Sequence, residues 1–185
     1  MLMLPNIPMS EEPAIETPFG SLSTRIRSMY SVSMPDDYVI FSEGERAFVD
    51  KVADITGDGI VFNVPLDGSL FAYQFGGVRT IYRWAFEGID GDVRYRLIQR
   101  GLDDIARNAS VRRAVDELGV KYVMMLDQGH EPFHAFWGDY SDSNWKGVLD
   151  IKEDTPGFEL VLSDGDMKLY RILSEEETSE QVSSD

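Results

Sequence analysis

The chain has 185 residues, the length of one ordinary domain with short extensions. Hydrophobic residues make up 43% of it, which is enough to bury a core. The 33 acidic and 17 basic residues give a net charge of −16, which disfavours nucleic acid and anionic lipid headgroups as partners. The absence of cysteine excludes disulfides, thiolate metal sites and cysteine nucleophiles.

Both ends of the chain differ in composition from the middle. Residues 1–35 are rich in proline, serine and methionine without apolar periodicity, so we predict an arm or linker. Residues 174–185 are acidic and almost free of apolar side chains, which predicts a disordered tail. One folded domain is expected over residues 36–173. No apolar run is long enough to cross a bilayer, and the start lacks the basic region of a signal peptide. The chain is therefore either a cytosolic protein or a piece of a longer one.

The first helix is predicted to begin after Ser42. Ser42 and Glu45 have the spacing of a capping box, and apolar residues then recur at helical spacing up to Ile55. We interpret "DITGDG", residues 54–59, as the turn into a strand. The same letters match the first half of a calcium loop, but Pro65 stands where that loop needs a glutamate. The turn is the preferred interpretation, and calcium binding is the alternative.

The middle of the chain predicts one strand and three helical segments. Residues 60–65 are β-branched and bounded by glycine and proline, which predicts a strand. Asp67 is expected to cap a short helix that ends at the glycine pair 76–77. Residues 90–119 predict a long helix in two pieces, with Ser110 as the cap of the second piece.

The last third predicts mainly strands. Residues 120–127, "VKYVMMLD", are continuously apolar, as in a strand buried on both faces. Residues 145–151, "WKGVLDI", are interpreted as an edge strand. Residues 158–173 predict two strands joined around Asp164-Gly165. We therefore expect a single α/β domain with a mixed sheet, parallel central strands, packed helices and a C-terminal antiparallel hairpin.

Residues 130–134, "HEPFH", spell the H-E-x-x-H pattern of zinc hydrolases and contain both histidines of the chain. In such enzymes His130 and His134 would hold zinc on one helix face, and Glu131 would act as the general base. Pro132 lies between the histidines, where it would break a continuous helix. The preferred interpretation is a surface loop without metal, and a zinc-dependent hydrolase is the alternative.

The remaining segments, taken together, carry a family resemblance over residues 42–172. They resemble the C-terminal extracytoplasmic domain of actinobacterial polytopic membrane proteins, which are similar to GT-C-type glycosyltransferases. The segments that carry the resemblance most strongly are "VPLDGSLFAY", "ELGVKYVMMLD" and "PGFELVLSDGDMKLYRI".

The resemblance implies a non-catalytic domain on the extracytoplasmic face of the cell membrane. Residues 1–35 would then follow a membrane segment, and the membrane domain of the same polypeptide would be a partner. The domain is expected to orient a glycan, an acceptor or a polyprenyl-linked sugar near the membrane active site, with no cofactor and no catalytic residue of its own. The candidate contacts are polar and aromatic residues near strand ends: Asp67, Ser69, Tyr73, Gln74, Trp84, Asp127 and Trp137. A free-standing α/β binding module is the alternative to this placement.

Overall fold

The computed structural model describes residues 41–65, 67–83, 92–126 and 142–184, all within one compact unit that spans residues 40–185. Within these ranges four strands form one sheet in the order β1-β2-β4-β3. The strands β1 and β2 are parallel, and the other two pairings are antiparallel. The bounds are β1 Ile60–Asn63, β2 Val120–Met125, β3 Phe158–Asp164 and β4 Met167–Ile172. The expected mixed sheet and C-terminal hairpin are both confirmed.

Six α-helices are present in the described residues. Two 3-10 turns accompany them, Ser69–Phe71 directly before α2 and Leu102–Asp104 directly after α3. None of the helices in these ranges has both the length and the apolar character that a bilayer span requires. The helices are α1 Glu43–Thr56, α2 Ala72–Gly76, α3 Val93–Gly101, α4 Ala109–Leu118, α5 Asp142–Leu149 and α6 Glu175–Ser184.

The helices cover both faces of the sheet. The first two helices and their neighbours pack on one face, and α3, α4 and α5 pack on the other. Strand β2 contributes to both cores because its side chains alternate between the faces. Val123 and Met125 lie in the core under α3 to α5, whereas Met124 and the following Leu126 lie in the core under α1. The prediction of a strand buried on both faces is confirmed.

The predicted helix ends are largely confirmed. Ser42 and Glu45 form the expected capping box, with the Glu45 backbone nitrogen 3.2 Å from Ser42 Oγ. Gly119 ends α4 in the left-handed conformation, with φ of 67°. The cap of α4 is Asn108 and not Ser110, because Asn108 Oδ1 accepts hydrogen bonds from the backbone nitrogens of the next turn. Residues 54–59 form the helix-to-strand turn, in which the Gly59 nitrogen donates to Thr56 O at 2.8 Å.

The edge strand predicted over residues 145–151 is wrong, because residues 142–149 form α5. Trp145 and Val148 are buried and three residues apart, so they lie on one helix face. The ring of Trp145 contacts Tyr82 at a centroid distance of 5.3 Å. A short apolar run fits the period of a strand as well as that of a helix. Here the helix is the element that brings both side chains into contact with the core.

The disordered tail predicted for residues 174–185 is also wrong, because α6 occupies residues 175–184. Its first turn forms a second capping box, in which the Ser174 nitrogen donates to Glu177 Oε2 at 2.8 Å and the Glu177 nitrogen donates to Ser174 Oγ at 3.2 Å. The helix is fastened to the body of the domain by Gln181, which accepts from the Gly157 nitrogen and donates to Phe158 O. Acidic composition alone therefore does not keep this segment unfolded.

The carboxylate of Glu177 is stabilised in its charged form. The hydrogen bond from the Ser174 nitrogen, followed by the Arg171 side chain, lowers the pKa of Glu177 to about 2. Because the folded-state pKa lies below the ordinary value of 4.5, this cap supports folding above that pH. The support is lost as the pH falls toward 2.

Gly147 sets the distance between α5 and the end of α3. A Cβ built on Gly147 would lie 2.6 Å from the Leu102 nitrogen and 2.5 Å from the Arg100 carbonyl carbon. Both are backbone atoms, which cannot rotate away. We predict that Gly147→Ala destabilises the domain by at least about 3 kcal/mol, the upper part of the range for overpacking. Urea unfolding of the two proteins measures the effect.

Gly44 supplies the matched control, because it is also helical and its Cβ would meet only Ser42 Oγ at 3.8 Å. Gly44→Ala should leave stability unchanged or raise it by up to about 1 kcal/mol. An equal loss in both variants would show that the close contact at Gly147 is unimportant.

Candidate functional site

The candidate residues that the structure describes lie where β1 and β2 end. The two strands are parallel, so their carboxyl ends share one edge of the sheet, the position where open α/β sheets bind ligands. Strand β1 ends at Asn63, and Asp67 and Gly68 lead into the 3-10 turn and α2. Strand β2 ends at Met125, followed by the buried Leu126.

Asn63 organises this edge, although the sequence analysis did not single it out. The side chain is fully buried and acts like an extra strand partner for Tyr82, accepting from the Tyr82 nitrogen at 2.8 Å and donating to Tyr82 O at 2.9 Å. Its amide also donates to Ser69 Oγ at 3.1 Å. The sequence does indicate this role, because Asn63 stands in an otherwise apolar strand and a buried amide group must form hydrogen bonds.

Ser69 and Asp67 complete the same network. Ser69 Oγ donates to Val64 O at 2.7 Å, and the Ser69 nitrogen donates to Asp67 Oδ1 at 2.9 Å. The second oxygen of Asp67 accepts from the Leu126 nitrogen at 2.8 Å. The residue that caps the 3-10 turn is Gly68, with φ of 86°, and not Asp67 as expected. The Asp67 carboxylate instead accepts from the Ser69 nitrogen and ties the turn to the end of β2.

Burial and hydrogen bonding act on Asp67 in opposite directions. Burial raises the pKa of Asp67 to about 7, while the hydrogen bonds from Ser69 and Leu126 lower it and nearby Glu45 raises it slightly. Only 7% of the residue is exposed. Both carboxylate oxygens are already bonded to backbone amides, so Asp67 is placed to hold the fold and has no free oxygen directed at a ligand.

Tyr73 and Gln74 are exposed on α2, in contrast to Asp67 and Ser69. Tyr73 is 43% exposed, and the guanidinium of Arg83 lies over its ring at 4.2 Å from the centroid. Phe75, two residues further on, is 52% exposed, which is unusual for a large apolar side chain. One face of its ring stacks on Phe41 at 5.6 Å. We call Tyr73, Gln74 and Phe75 the α2 surface.

Phe75 was missed by the sequence analysis. The available signal was the alternation of aromatic and small or polar residues in "FAYQF", which cannot all face the core of a helix. A ring exposed in this way presents an apolar face to solvent, and the amide of Gln74 can both donate and accept hydrogen bonds.

The other predicted site residues lie outside the described residues: Trp84, Asp127 and Trp137, and also His130, Glu131 and His134 of the zinc alternative. In the part of the chain that the structure describes, no group of three or more histidine, cysteine, aspartate or glutamate side chains is placed to hold a metal ion. Thr56, in the sequence that resembles half a calcium loop, uses its hydroxyl to donate to Val52 O at 2.9 Å.

Comparison with known proteins gives one family match. The model of a family of unknown function, DUF6541, matches residues 13–174. No curated protein matches the chain. The chain is similar in structure to the C-terminal globular domain of an oligosaccharyltransferase from Archaeoglobus fulgidus, known from a crystal structure. The TM-score is 0.43 and the sequence identity is 11%. The similarity covers 76% of this chain and 99% of that one.

We predict that Asp67 lowers the free energy of unfolding of the domain as the pH rises. Its folded-state pKa of about 7 lies above the ordinary value of 3.8, so folding favours the protonated form. The stability contributed by Asp67 is fully present below pH 3.8 and decreases as the pH rises through 7. The slope is at most about 1.4 kcal/mol per pH unit. Urea unfolding at several pH values, for the wild type and for Asp67→Asn, measures it.

Asp67→Asn should lower stability by about 1–3 kcal/mol at low pH, because its amide nitrogen cannot accept from a backbone N–H, and it should remove the slope. Asp50→Asn changes an exposed carboxylate on α1 and serves as the control, which should keep the wild-type slope. Parallel pH profiles for the wild type and Asp67→Asn would contradict the assignment.

Proposed function

The chain belongs to the DUF6541 family of unknown function, and from this premise we propose a non-catalytic role for the domain. It is the extracytoplasmic domain of a membrane glycosyltransferase-like protein, and it holds a glycan or acceptor near the membrane active site. The α2 surface makes the contact. The sequence resemblance supports the membrane placement, and the division of the candidate residues supports binding without catalysis.

That division is the observation that carries the proposal. Among the described candidates, Asp67 and Ser69, which carry a carboxylate and a hydroxyl group, are buried and hydrogen-bonded within the fold. Tyr73 and Gln74, the candidates suited to contact alone, are exposed. A catalytic acid or base must reach the reacting atoms. The described candidates that reach solvent can stack and hydrogen-bond, which is what a neutral sugar needs.

The charge of the chain is compatible with a neutral glycan. An uncharged sugar carries no charge that the net charge of −16 could repel. The apolar side of a sugar ring can lie on the exposed ring of Tyr73, and its hydroxyls can bond to Gln74. The ring of Phe75, which contacts Phe41 and the guanidinium of Arg46, adds exposed apolar surface beside them. The cation–π contact from Arg83 holds the ring of Tyr73 in place, which reduces the entropy lost on binding.

The membrane placement is tested by the coding sequence upstream of residue 1. We expect it to encode several apolar segments of about 20 residues each, in the same reading frame. A stop codon directly upstream would contradict the placement and would favour the free-standing binding module. That result would leave the glycan contact at the α2 surface open to its own test.

The glycan contact is tested by NMR titration of the isotopically labelled domain with neutral mannan, arabinan and glucan fragments. We expect amide shifts confined to α2 and its neighbours for at least one fragment. Tyr73→Ala should weaken that binding about tenfold, corresponding to the loss of roughly 1.4 kcal/mol of contact energy. Phe75→Ala should weaken it similarly.

Val182→Ala is the matched control, since Val182 is 55% exposed on α6 and lies outside the α2 surface. It should bind like the wild type. Absence of shifts with every fragment, or equal weakening in the control, would refute a glycan role for the α2 surface.

A further inference from the structure

One stretch of the chain carries more basic than acidic residues. Six of the 17 basic residues fall within residues 93–113, where there are only two acidic residues. These residues form α3, the 3-10 turn after it and the first half of α4. Over the whole of α3 to α4, residues 93–118, six basic residues stand against four acidic ones, so this part of a strongly acidic chain carries a small positive charge.

A groove of about 390 Å³ lies between α3 and α4. Among the described residues that line it, the charged ones are two arginines, Arg96 and Arg100, and none is a carboxylate. The rest of the lining is apolar or neutral. The lining residues are Val93, Arg96, Leu97, Arg100, Gly101, Asn108 and Val111. We call this the α3–α4 groove.

Both arginines of the groove are exposed. Among the described residues, neither Arg96 nor Arg100 has a carboxylate oxygen within 4.0 Å. Arg100 donates only to the neutral Asn144 Oδ1, at 2.8 Å. Arg94 on the same helix shows the contrast, because it is paired with Asp92 and lies 3.6 Å from Glu117. The positive charge in the groove is therefore available to a ligand.

The spacing of the two arginines suits a phosphate group. Arg96 and Arg100 are four residues apart on α3, so their side chains project from the same face about one helical turn apart. A guanidinium forms two parallel hydrogen bonds to a phosphate, and two guanidiniums can share one phosphate. Val93, which is 57% exposed, and Leu97 place apolar surface beside these charges. The groove thus combines a site for an anion with a site for hydrocarbon.

We propose that the α3–α4 groove binds the phosphate headgroup of an anionic phospholipid at a membrane surface. Arg96 and Arg100 contact the phosphate, and Val93 and Leu97 contact the glycerol and the first acyl carbons. This combination favours a lipid over an acidic peptide, whose carboxylates would use the arginines but leave the apolar positions beside them unmatched. The inference is independent of the glycan contact at the α2 surface.

The net charge of the chain does not prevent this contact. At physiological ionic strength the Debye length is about 8 Å, so exposed charges on distant parts of the surface are largely screened. The local charge of the groove then decides the interaction. A larger cleft of about 570 Å³ has no preference for anions, because basic and acidic residues line it together. They are Arg112, Lys121, Arg171, Asp116, Glu175 and Glu177.

The experiment is co-sedimentation of the protein with phosphatidylcholine vesicles that do or do not contain phosphatidylglycerol. We expect binding only to the vesicles with phosphatidylglycerol, and weaker binding as salt is raised. The double variant Arg96→Gln/Arg100→Gln should lower the partition coefficient about tenfold or more. Arg96→Gln alone keeps the Arg100–Asn144 hydrogen bond and should lower the partition coefficient less. This variant distinguishes the effect of lost charge on binding from the effect of a disturbed fold.

The matched control is Arg79→Gln/Lys121→Gln, which removes the same charge from exposed residues outside the groove. It should bind vesicles like the wild type. The proposal is overturned if the control loses as much binding as the groove variant, if anionic vesicles do not bind, or if polyglutamate or inorganic phosphate binds while vesicles do not. Failure here would leave the glycan titration unaffected, and the reverse is also true.

Discussion

The carboxylate of Asp67 joins the two parallel strands at the edge where they end. One oxygen holds the Ser69 nitrogen at the start of the turn into α2, and the other holds the Leu126 nitrogen just after β2. The backbone ladder between β1 and β2 ends at the pair Asn63 and Met124. Asp67 extends the connection beyond the ends of the two strands, where no hairpin joins them. The orientation of α2, and with it the exposure of Tyr73 and Phe75, follows from this connection.

The connection is made by a group that burial disfavours in its charged form. A buried carboxylate loses its hydration, and hydrogen bonds to two backbone amides replace only part of it. Among the described residues no cation offsets the loss, and Glu45 adds a second negative charge nearby. The domain therefore gains a defined geometry at this edge at some cost in stability. That balance is typical of a position selected for specific structure and not for maximum stability.

Local sequence patterns were sufficient where one signal dominated. The capping box at Ser42, the glycine after α4 and the continuous apolar run of β2 each predicted the observed element, because each depends on near neighbours in the chain. The helix at 142–149 was missed because Trp145 and Val148 fit two periods, and only the contact with Tyr82 decides between them. The helix at 175–184 was missed because an acidic composition suggests disorder, whereas the Ser174–Glu177 capping pattern predicts a helix.

At the candidate site, the strand-end position of Asp67 and Ser69 was predictable, but their burial was not. The α3–α4 groove could not be predicted either, since it depends on how two helices pack.

The two proposed surfaces divide the molecule by charge as well as by position. The α2 surface presents aromatic and amide groups on one side of the sheet, and the α3–α4 groove belongs to the helix layer on the other side. Neutral and anionic ligands would therefore meet different parts of the domain. The sheet between them is a rigid spacer, because β2 is packed on both of its faces. A domain built in this way can contact a lipid surface with one layer while the opposite layer remains accessible to a glycan, and neither contact requires a change in the fold.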